Sequence, residues 1–360
     1  MKLKNLSNKV KVIKQNKIDF LVRTILTLFI VLVFLVLYFC CGGKEYFAKT
    51  NIVTSCNDSD LEVHFIDVGQ GDATLIRFPN DKTMLIDTGE SYESDNLIFY
   101  LKNFLSFNNI STIDYLVLTH QDADHVGGTS EVLNNFNVGI VYRPKCFSIS
   151  EKEMYPNLSY KIVETKIYED AISSIYQNNV DMVFNESGIE FFEGDASIVF
   201  LSPSQDNYSN SNNYSAVIKI ECKGKTFLFT GDSEQEIEEE LMNKIYQDLN
   251  IDVLKVSHHG SKTATSEEFL VATTPIYACI SVGEDNSYNL PNQEVLDLLE
   301  KANCEILMTK DCGSFAIAVS NGNLGVYFIN LPQVDFTIVI AVCGLCIILI
   351  WGIKIKKRKS

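Results

Sequence analysis

Between Leu118 and Gly128 the chain reads LTHQDADHVGG, which sets His120, Asp122, Asp124 and His125 within six residues. His258 and His259 stand side by side in LKVSHHGSK, so four of the five histidines lie in two short motifs. Imidazole and carboxylate are the side chains that hold divalent transition-metal ions. A loop leaving a strand turns successive side chains towards different points, so four such ligands in six residues can serve two neighbouring ions. A further carboxylate, Asp232, ends the apolar run FLFTGD. Two ions about 3.5–4 Å apart bring the pKa of a shared water to near ~7 and clamp the attacking and leaving oxygens of a displacement. No Ser-His-Asp spacing competes with this chemistry. A surface turn with incidental charges is the alternative for the first motif alone, and the later Asp232 and histidine pair count against it.

The elements that position these residues follow from the apolar pattern. LEVHFIDV and ATLIRF are short apolar runs separated by GQGD, the composition of a tight hairpin turn. TMLIDTG supplies a third strand and SDNLIFYLKNFL has the apolar spacing of a helix. IDYLVLT is nearly continuous in apolar residues and ends at His120, as expected of a strand buried on both faces. In the second half, SAVIKIECKGKTFLFTGD reads as a hairpin turning at Lys223–Lys225, SEQEIEEELMNKI as an acidic amphipathic helix, and IDVLKVSHHG as a strand ending at the histidine pair. TSEEFLVAT, IYACISVG, NQEVLDLLEKA and CEILMT continue the alternation of helix and strand. Residues 145–185 are polar, carry no clear period and read as an insertion. His120, Asp232 and His259 each follow the C-terminal end of a strand, so the ligands converge on one rim of a sheet assembly, where α/β architectures place their chemistry.

The order H-x-D-x-D-H, Asn-rich strand start, strand ending in Gly-Asp, and strand ending in His-His-Gly resembles the metallo-β-lactamase superfamily. Within it, FIDVGQGDA, LTHQDADHVGG, NNYSAV and LKVSHHGS are similar to the C-terminal hydrolase domain of ComEC-type competence proteins, over about residues 61–320. The resemblance implies an α/β fold, a four-layer αβ/βα sandwich with a dinuclear site at its edge. It also implies ligands: His120 and Asp122 for a first ion, Asp124 and His125 for a second, Asp232 bridging, and His259 as the last ligand. Asp124, Asp232 and His258 form the implied catalytic group, with His258 facing the substrate as a donor to a phosphoryl oxygen or leaving group. Asn213 falls where many relatives have a third histidine on the first ion and is an additional candidate ligand. With Asp122 and Asn213 in place of histidines the site is oxygen-rich, which leaves Zn²⁺ and Mn²⁺ both open.

Around these ligands, Asp87 in IDTG is expected to orient the ligand loop, and Asp67 and Asn212 to contact ligands or substrate. Gln70 and Asp72 of GQGD read either as parts of a turn or as neighbours of the ions. Ser261 and Lys262 read as a helix start, either receiving an anion or only capping. His64 has no partner motif and reads as structural. The family commonly carries His-Pro-His after the SVG strand. Here the segment is Leu290-Pro291-Asn292, which implies different substrate contacts.

Two uncharged runs of 18 residues, 24–41 and 336–353, nearly cross a ~30 Å hydrocarbon core at about 1.5 Å per residue. Residues 1–23 carry seven Lys or Arg and 354–360 five more, which places both ends in the cytoplasm. The expected organisation is a basic tail (1–23), a membrane helix (24–41), a linker (42–60), the hydrolase domain (61–330) outside the membrane, a second membrane helix (334–353) and a basic tail (354–360). The part between the basic ends holds 18 basic against 45 acidic residues. That field repels polyanions, so nucleic acid is disfavoured by charge, and the lipid bilayer and a phosphoester are the expected partners. The function expected is hydrolysis of a phosphoester or phosphodiester, in DNA or in a phosphate-bearing surface polymer. The alternatives are a lactamase-type hydrolase of C–N or C–O bonds and a non-catalytic metal-binding sensor. Of the cysteines, Cys40, Cys41, Cys343 and Cys346 belong to the apolar runs and Cys222 and Cys279 to buried strands. A Cys304–Cys312 bridge is compatible with an oxidising compartment.

Overall fold

The computed structural model describes residues 20–31, 59–245, 249–284 and 286–329. Its contacts separate the segment Ser55–Ile329 from a second unit made of the two ends of the chain. In that second unit residues 20–31 are helical. Among the described residues no helix is long and apolar enough to cross a membrane. Residues 32–41 of the first expected membrane helix, and all of the second, lie outside the described residues.

Seventeen strands build the segment 59–329: β1 (Leu61–Phe65), β2 (Thr74–Arg77), β3 (Thr83–Ile86), β4 (Thr112–Val117), β5 (Asn137–Arg143), β6 (Cys146–Phe147), β7 (Lys161–Ile162), β8 (Asp181–Phe184), β9 (Glu190–Glu193), β10 (Ala196–Ser202), β11 (Val217–Cys222), β12 (Lys225–Phe229), β13 (Val253–Lys255), β14 (Tyr277–Ile280), β15 (Glu305–Met308), β16 (Ser314–Ser320) and β17 (Asn323–Ile329). One sheet has the order β17-β16-β1-β2-β3-β4-β5-β8 and the other β15-β14-β13-β12-β11-β10-β9. In each sheet the strands that lead to the ligand motifs run parallel, β3 with β4 and β12 with β13 with β14.

Alternation of side chains across each strand sorts the residues into layers. Val63, Phe65, Ile76, Met84 and Ile86 of the first sheet meet Phe200, Ile218, Ile220, Phe227 and Phe229 of the second in one buried cluster. The Phe65 and Phe229 rings face each other across the sandwich, 6.5 Å between centroids. Each such fully buried side chain contributes roughly 1.5–3 kcal/mol. The opposite face of the second sheet, with Leu228, Leu254 and Ile280, packs on Phe269 and Leu270 of helix Glu267–Thr273 and on Val295 and Leu299 of helix Gln293–Lys301. On the opposite face of the first sheet, His64 lies against helix Ser94–Phe107, Nδ1 2.8 Å from the Tyr100 hydroxyl and its ring 4.6 Å from that of Phe104. His64 is therefore a packed, hydrogen-bonded wall residue. The result is helix, sheet, sheet, helix, the expected four layers.

Several local expectations are corrected. β1 and β2 do pair antiparallel, but residues 66–73 join them as an eight-residue loop in place of a tight turn. The insertion is ordered: it holds β6, β7, helices Ile149–Met154 and Lys166–Gln177, and β8, which extends the first sheet parallel to β5. Ser148 and Glu151 cap the first of these helices reciprocally, and Tyr168, Ala171, Ile172 and Ile175 form the buried stripe of the second. Cys222 and Cys279 are buried, as expected of strand positions. Cys304 is an unbridged thiol whose Sγ donates to the Pro275 carbonyl at 3.3 Å, so the Cys304–Cys312 disulfide is not formed.

Candidate metal centre

The ligand motifs begin three residues beyond the ends of β4, β12 and β13, all at the same rim. β3 ends directly in Asp87, a non-glycine residue at φ +60°. Its buried carboxylate accepts the Thr119 amide at 2.7 Å, the Thr119 hydroxyl at 2.7 Å and His125 Nδ1 at 2.8 Å. Asp87 thus fixes the loop after β4 and orients one imidazole, as expected of it. With the Asp87 oxygen accepting, Nδ1 of His125 carries a hydrogen and Nε2 is the nitrogen turned inwards to take an ion or a second proton. That Nε2 lies 3.3 Å from Asp232 Oδ1 and 3.9 Å from Asp124 Oδ1. The same logic holds at His259, whose Nδ1 donates to the Ser281 carbonyl at 2.8 Å. Its Nε2 lies 3.2 Å from Asp124 Oδ2 and 3.6 Å from Asp232 Oδ2. His120 Nε2 is 3.7 Å from both Asp122 Oδ2 and Asp232 Oδ2. The structure therefore brings His120, Asp122, Asp124, His125, Asp232 and His259 around one point, with Asp232 in the middle.

The decisive feature is what these atoms lack. Nε2 of His120, His125 and His259 and Oδ1 of Asp232 are buried and without a hydrogen-bond partner. Orphaned buried polar atoms are costly and rare, and four converging on one spot fit a cation. Ligand atoms of His120, His125 and Asp232, and of Asp124, His125 and His259, lie close enough together to hold an ion. The electrostatics agree. Burial lowers the pKa of His120, and the neighbouring His125 lowers it further. Burial also opposes protonation of His125, but the carboxylates of Asp232, Asp87 and Asp124 outweigh it and hold that imidazole well above its ordinary range. Burial would raise the Asp232 carboxyl, yet His125 and His259 hold it well below the usual carboxylate range. The cluster is built for positive charge.

Other expected residues divide. Asp122 is half exposed at the rim and accepts from Gln121 Nε2 at 2.9 Å. His258 and His259 are consecutive non-glycine residues at φ +49° and +51°. His258 is partly exposed: Nε2 is 3.7 Å from Asp232 Oδ2, while Nδ1 lies 3.2 Å from the Thr263 hydroxyl and 3.5 Å from Asn212 Nδ2. Asn213 does not point its oxygen at the cluster. Its Oδ1 accepts the Glu234 amide at 2.9 Å and its Nδ2 donates to Glu236 at 2.7 Å, so it caps the segment after Asp232. Gln70 Oε1 accepts the Gly283 amide at 3.3 Å, and a Cβ on Gly71 would stand 2.3 Å from the Asp124 carbonyl. The GQGD loop is thus pressed against the ligand loop. Asp67 folds back on its own turn to accept the Gly69 amide at 3.2 Å, and burial raises its pKa. Ser261 and Lys262 are not at a helix start. They follow the histidine turn, and the next helix begins at Glu267 behind its cap Ser266.

Three neighbours of the cluster escape a motif reading. Thr119 bonds Asp87, Glu234 lies 3.6 Å from His258 Nδ1, and Lys255 is buried with its ammonium 2.7 Å from Asp72. The signal for Lys255 is a charge in the middle of the apolar run VLKV.

Residues 66–283 match the family model described as Metallo-beta-lactamase superfamily. ComE operon protein 3 of Bacillus subtilis (strain 168) is 33% identical over 288 residues, covering 76% of this chain and 35% of that protein. Recombination protein 2 of Haemophilus influenzae is 31% identical over 241 residues, covering 67% of this chain and 26% of that protein. Competence protein ComA of Neisseria gonorrhoeae is 27% identical over 267 residues, covering 74% of this chain and 33% of that protein. The chain thus spans about a third or less of the length of these curated relatives.

Proposed function

This chain belongs to the metallo-beta-lactamase superfamily, and from that premise we propose that it is a dinuclear metal-dependent hydrolase of phosphoester or phosphodiester bonds. The convergence of three buried, orphaned imidazole nitrogens on the equally orphaned Asp232 Oδ1 carries this reading. Asp124, His125, His259 and Asp232 would hold one ion, and His120, Asp122 and Asp232 the other. Zn²⁺ and Mn²⁺ both suit these donors, and bound there the pair supplies Lewis-acid charge to a phosphoryl oxygen and an acidified water. The chain's own groups supply orientation and a proton. His258 Nε2 faces Asp232 while its Nδ1 is steadied by the Thr263 hydroxyl, a placement suited to donating a proton to a leaving oxygen. Holding two successive histidines in the left-handed region costs roughly 1–2 kcal/mol each, and such strain concentrates at functional sites. Three contacts over-determine the turn: the His258 amide donates to Gly231, the Ser261 amide to His258 and the Asn292 amide to Gly260.

A carboxylate at position 122 and an amide turned away at position 213 leave the His120 side oxygen-rich. That favours harder ions over the histidine-rich zinc pattern. The names of the curated relatives, a competence protein and a recombination protein, support DNA as one substrate. The acidity of the segment between the basic ends counts against densely charged polyanions, DNA among them, and so supports the other only as a surface polymer whose phosphates are sparse or paired with cationic groups. Anchoring through 24–41 and 334–353, with both ends cytoplasmic and the hydrolase domain outside, belongs to the same proposal.

The test takes the full chain in mild detergent, loaded with Zn²⁺ or Mn²⁺, and compares wild type with Asp232→Asn. Substrates are single-stranded DNA, bis(p-nitrophenyl) phosphate and a phosphocholine ester. Metal-dependent cleavage that disappears in the variant is the expected result, and which substrate is cut distinguishes DNA from surface-polymer chemistry. Two bound ions with no turnover on any of the three would overturn the reading in favour of a metal-stabilised sensor.

A further inference from the structure

Lys255 stands at the end of β13, between Val256 and Leu254. Val253 belongs to the cluster between the sheets and Leu254 to the cluster on the outer face. Alternation therefore turns Lys255 inwards, beside its register partners Phe229 and Cys279. A lysine is almost never fully buried unless paired, and this one is 3% exposed. Its ammonium donates to the Val256 carbonyl at 3.0 Å and lies 2.7 Å from Asp72 Oδ2. Asp72 comes from the other sheet, on the loop after β1. Its amide donates to the Asp124 carbonyl at 3.0 Å, and its own carbonyl accepts the Gly89 amide at 2.8 Å. The remaining oxygen, Asp72 Oδ1, is buried, lacks a hydrogen-bond partner and lies 3.6 Å from His259 Nδ1. Oδ2 is 3.9 Å from His125 Nδ1. Asp72 thus sits behind both imidazoles of one ion's ligand set, on the side away from their Nε2 atoms.

We propose that the Asp72–Lys255 pair is a positioning device for the ion held by Asp124, His125 and His259, one that locks the two ligand loops across the sandwich and neutralises the carboxylate behind the imidazoles. This inference rests on the dinuclear reading above. Charge counting supports it. Five aspartates crowd the cluster (Asp72, Asp87, Asp122, Asp124 and Asp232); two divalent ions would balance four of them and the Lys255 ammonium the fifth, while Glu234 stands outside this set beside the partly exposed His258. Without Lys255 the negative charge of Asp72 would be buried and uncompensated beside two ligands. Asp72 would then turn to the nearest donor, the His259 Nδ1 hydrogen, and pull that ring from the Ser281 carbonyl that aims it. Neither residue touches the reacting atoms, so both act through the ligands.

The experiment measures metal affinity and not turnover. Full chain in mild detergent is titrated with Zn²⁺ and Mn²⁺ against a chelating dye, and the visible spectrum is recorded with Co²⁺ bound. Lys255→Met and Asp72→Asn are each expected to weaken one of the two ions about 10–100-fold and to change the Co²⁺ spectrum. The double variant Asp72→Asn/Lys255→Met, which buries no unpaired charge, is expected to recover more than half of that loss on a logarithmic scale. If the single variants melt at lower temperature yet bind both ions with wild-type affinity and spectrum, the pair is only a structural brace and the proposal is overturned. A double variant as weak as Lys255→Met would overturn it too, because Lys255 would then act independently of Asp72. Should Lys255→Met fail to fold, Asp72→Asn against the double variant decides the matter in the same way. Wild type binding no ion defeats the dinuclear reading together with this inference. Wild type binding two ions beside unaffected variants defeats this inference alone.

Discussion

Two clusters of buried charge lie at strand ends, one on the first sheet and one shared by both sheets, and they differ in what is left over. At the end of β5, Arg143 donates to the Cys146 carbonyl at 2.8 Å, to Glu151 Oε2 at 3.1 Å and to the Tyr168 hydroxyl at 3.3 Å, and also engages Glu151 Oε1. Its guanidinium lies 4.5 Å over the Phe184 ring, and the Tyr176 hydroxyl donates to Glu151 at 3.0 Å. No side-chain atom of Arg143, Glu151 or Tyr168 is among the orphaned ones. This knot is closed: the acid and the base answer each other, and the product is a docked insertion. At the ends of β3, β4, β12 and β13 four buried ligand atoms, three imidazole nitrogens and one carboxylate oxygen, converge without a hydrogen-bond partner. Buried charge alone therefore does not mark a site, since both clusters have it. Converging buried ligand atoms without partners do.

Breaking each cluster should fail differently. The largest effect is expected of Asp232→Asn, which keeps the shape of the central ligand and removes its charge. Turnover falls to background and both ions lose affinity, since Asp232 approaches the Nε2 atoms of His120, His125 and His259 alike. Metal content by elemental analysis, beside circular dichroism of the same sample, separates loss of ions from loss of fold. Next comes Glu151→Ala in the closed knot. Removing one partner of a buried pair costs about 3–5 kcal/mol, read as a lower denaturation midpoint, while metal content per folded molecule stays at the wild-type value. Replacing both charges, Arg143→Met with Glu151→Leu, is expected to restore most of that stability. If Glu151→Ala instead strips the ions, the two clusters are coupled and the contrast fails. Third in size is chelation of the wild type. With each ion at about tenfold excess over its dissociation constant, the two together stabilise by about 2.8 kcal/mol, so a chelator should lower the unfolding free energy by a comparable amount and leave Asp232→Asn unmoved.

The contrast also explains what a sequence can tell. H-x-D-x-D-H is legible because its geometry is local: Thr119, His120 and His125 share one loop, and one strand end aims them all. Strands β1–β4 and β11–β15 are legible from their apolar runs, and Asp87 from its place directly after one of them, whereas β5, β8–β10, β16 and β17 are not singled out by the sequence. GQGD misleads because Ile66–Val68 continues the apolar pattern beyond the end of β1. The connection is an eight-residue loop, held open by contact with Asp124 and Gly283 that no local pattern encodes. In the insertion the stripe Tyr168, Ala171, Ile172, Ile175 is present but interleaved with polar residues, and the cap Ser148–Glu151 is the stronger signal. Lys255 and Asp72 are legible only as an anomaly, a charge in an apolar run, because their partners lie in different sheets. Ser261 and Lys262 look like a helix start because Ser-Lys-Thr precedes an acidic run. The cap that starts the helix is Ser266, whose hydroxyl accepts the Phe269 amide at 3.2 Å.

The smallest expected effect falls on Asn213, and it sharpens the contrast most finely, because an amide can be a poor ligand or a good cap and the sequence is the same for both. Its oxygen already accepts the Glu234 amide, and its nitrogen already reaches Glu236. Asn213→Ala should therefore behave as the loss of a helix cap, about 1 kcal/mol. In a domain of this size that is a shift of roughly 2–4 °C in melting temperature. The loss stays small because Glu236 is exposed, so its carboxylate regains water when the amide goes. The affinity for both ions should be unchanged in the chelating-dye titration. A drop of tenfold or more in the affinity of the ion beside His120, with the metal-free melting temperature unmoved, would reverse the assignment. Asn213 would then belong to the open cluster, and the amide seen donating to Glu236 would have to turn when the ion binds.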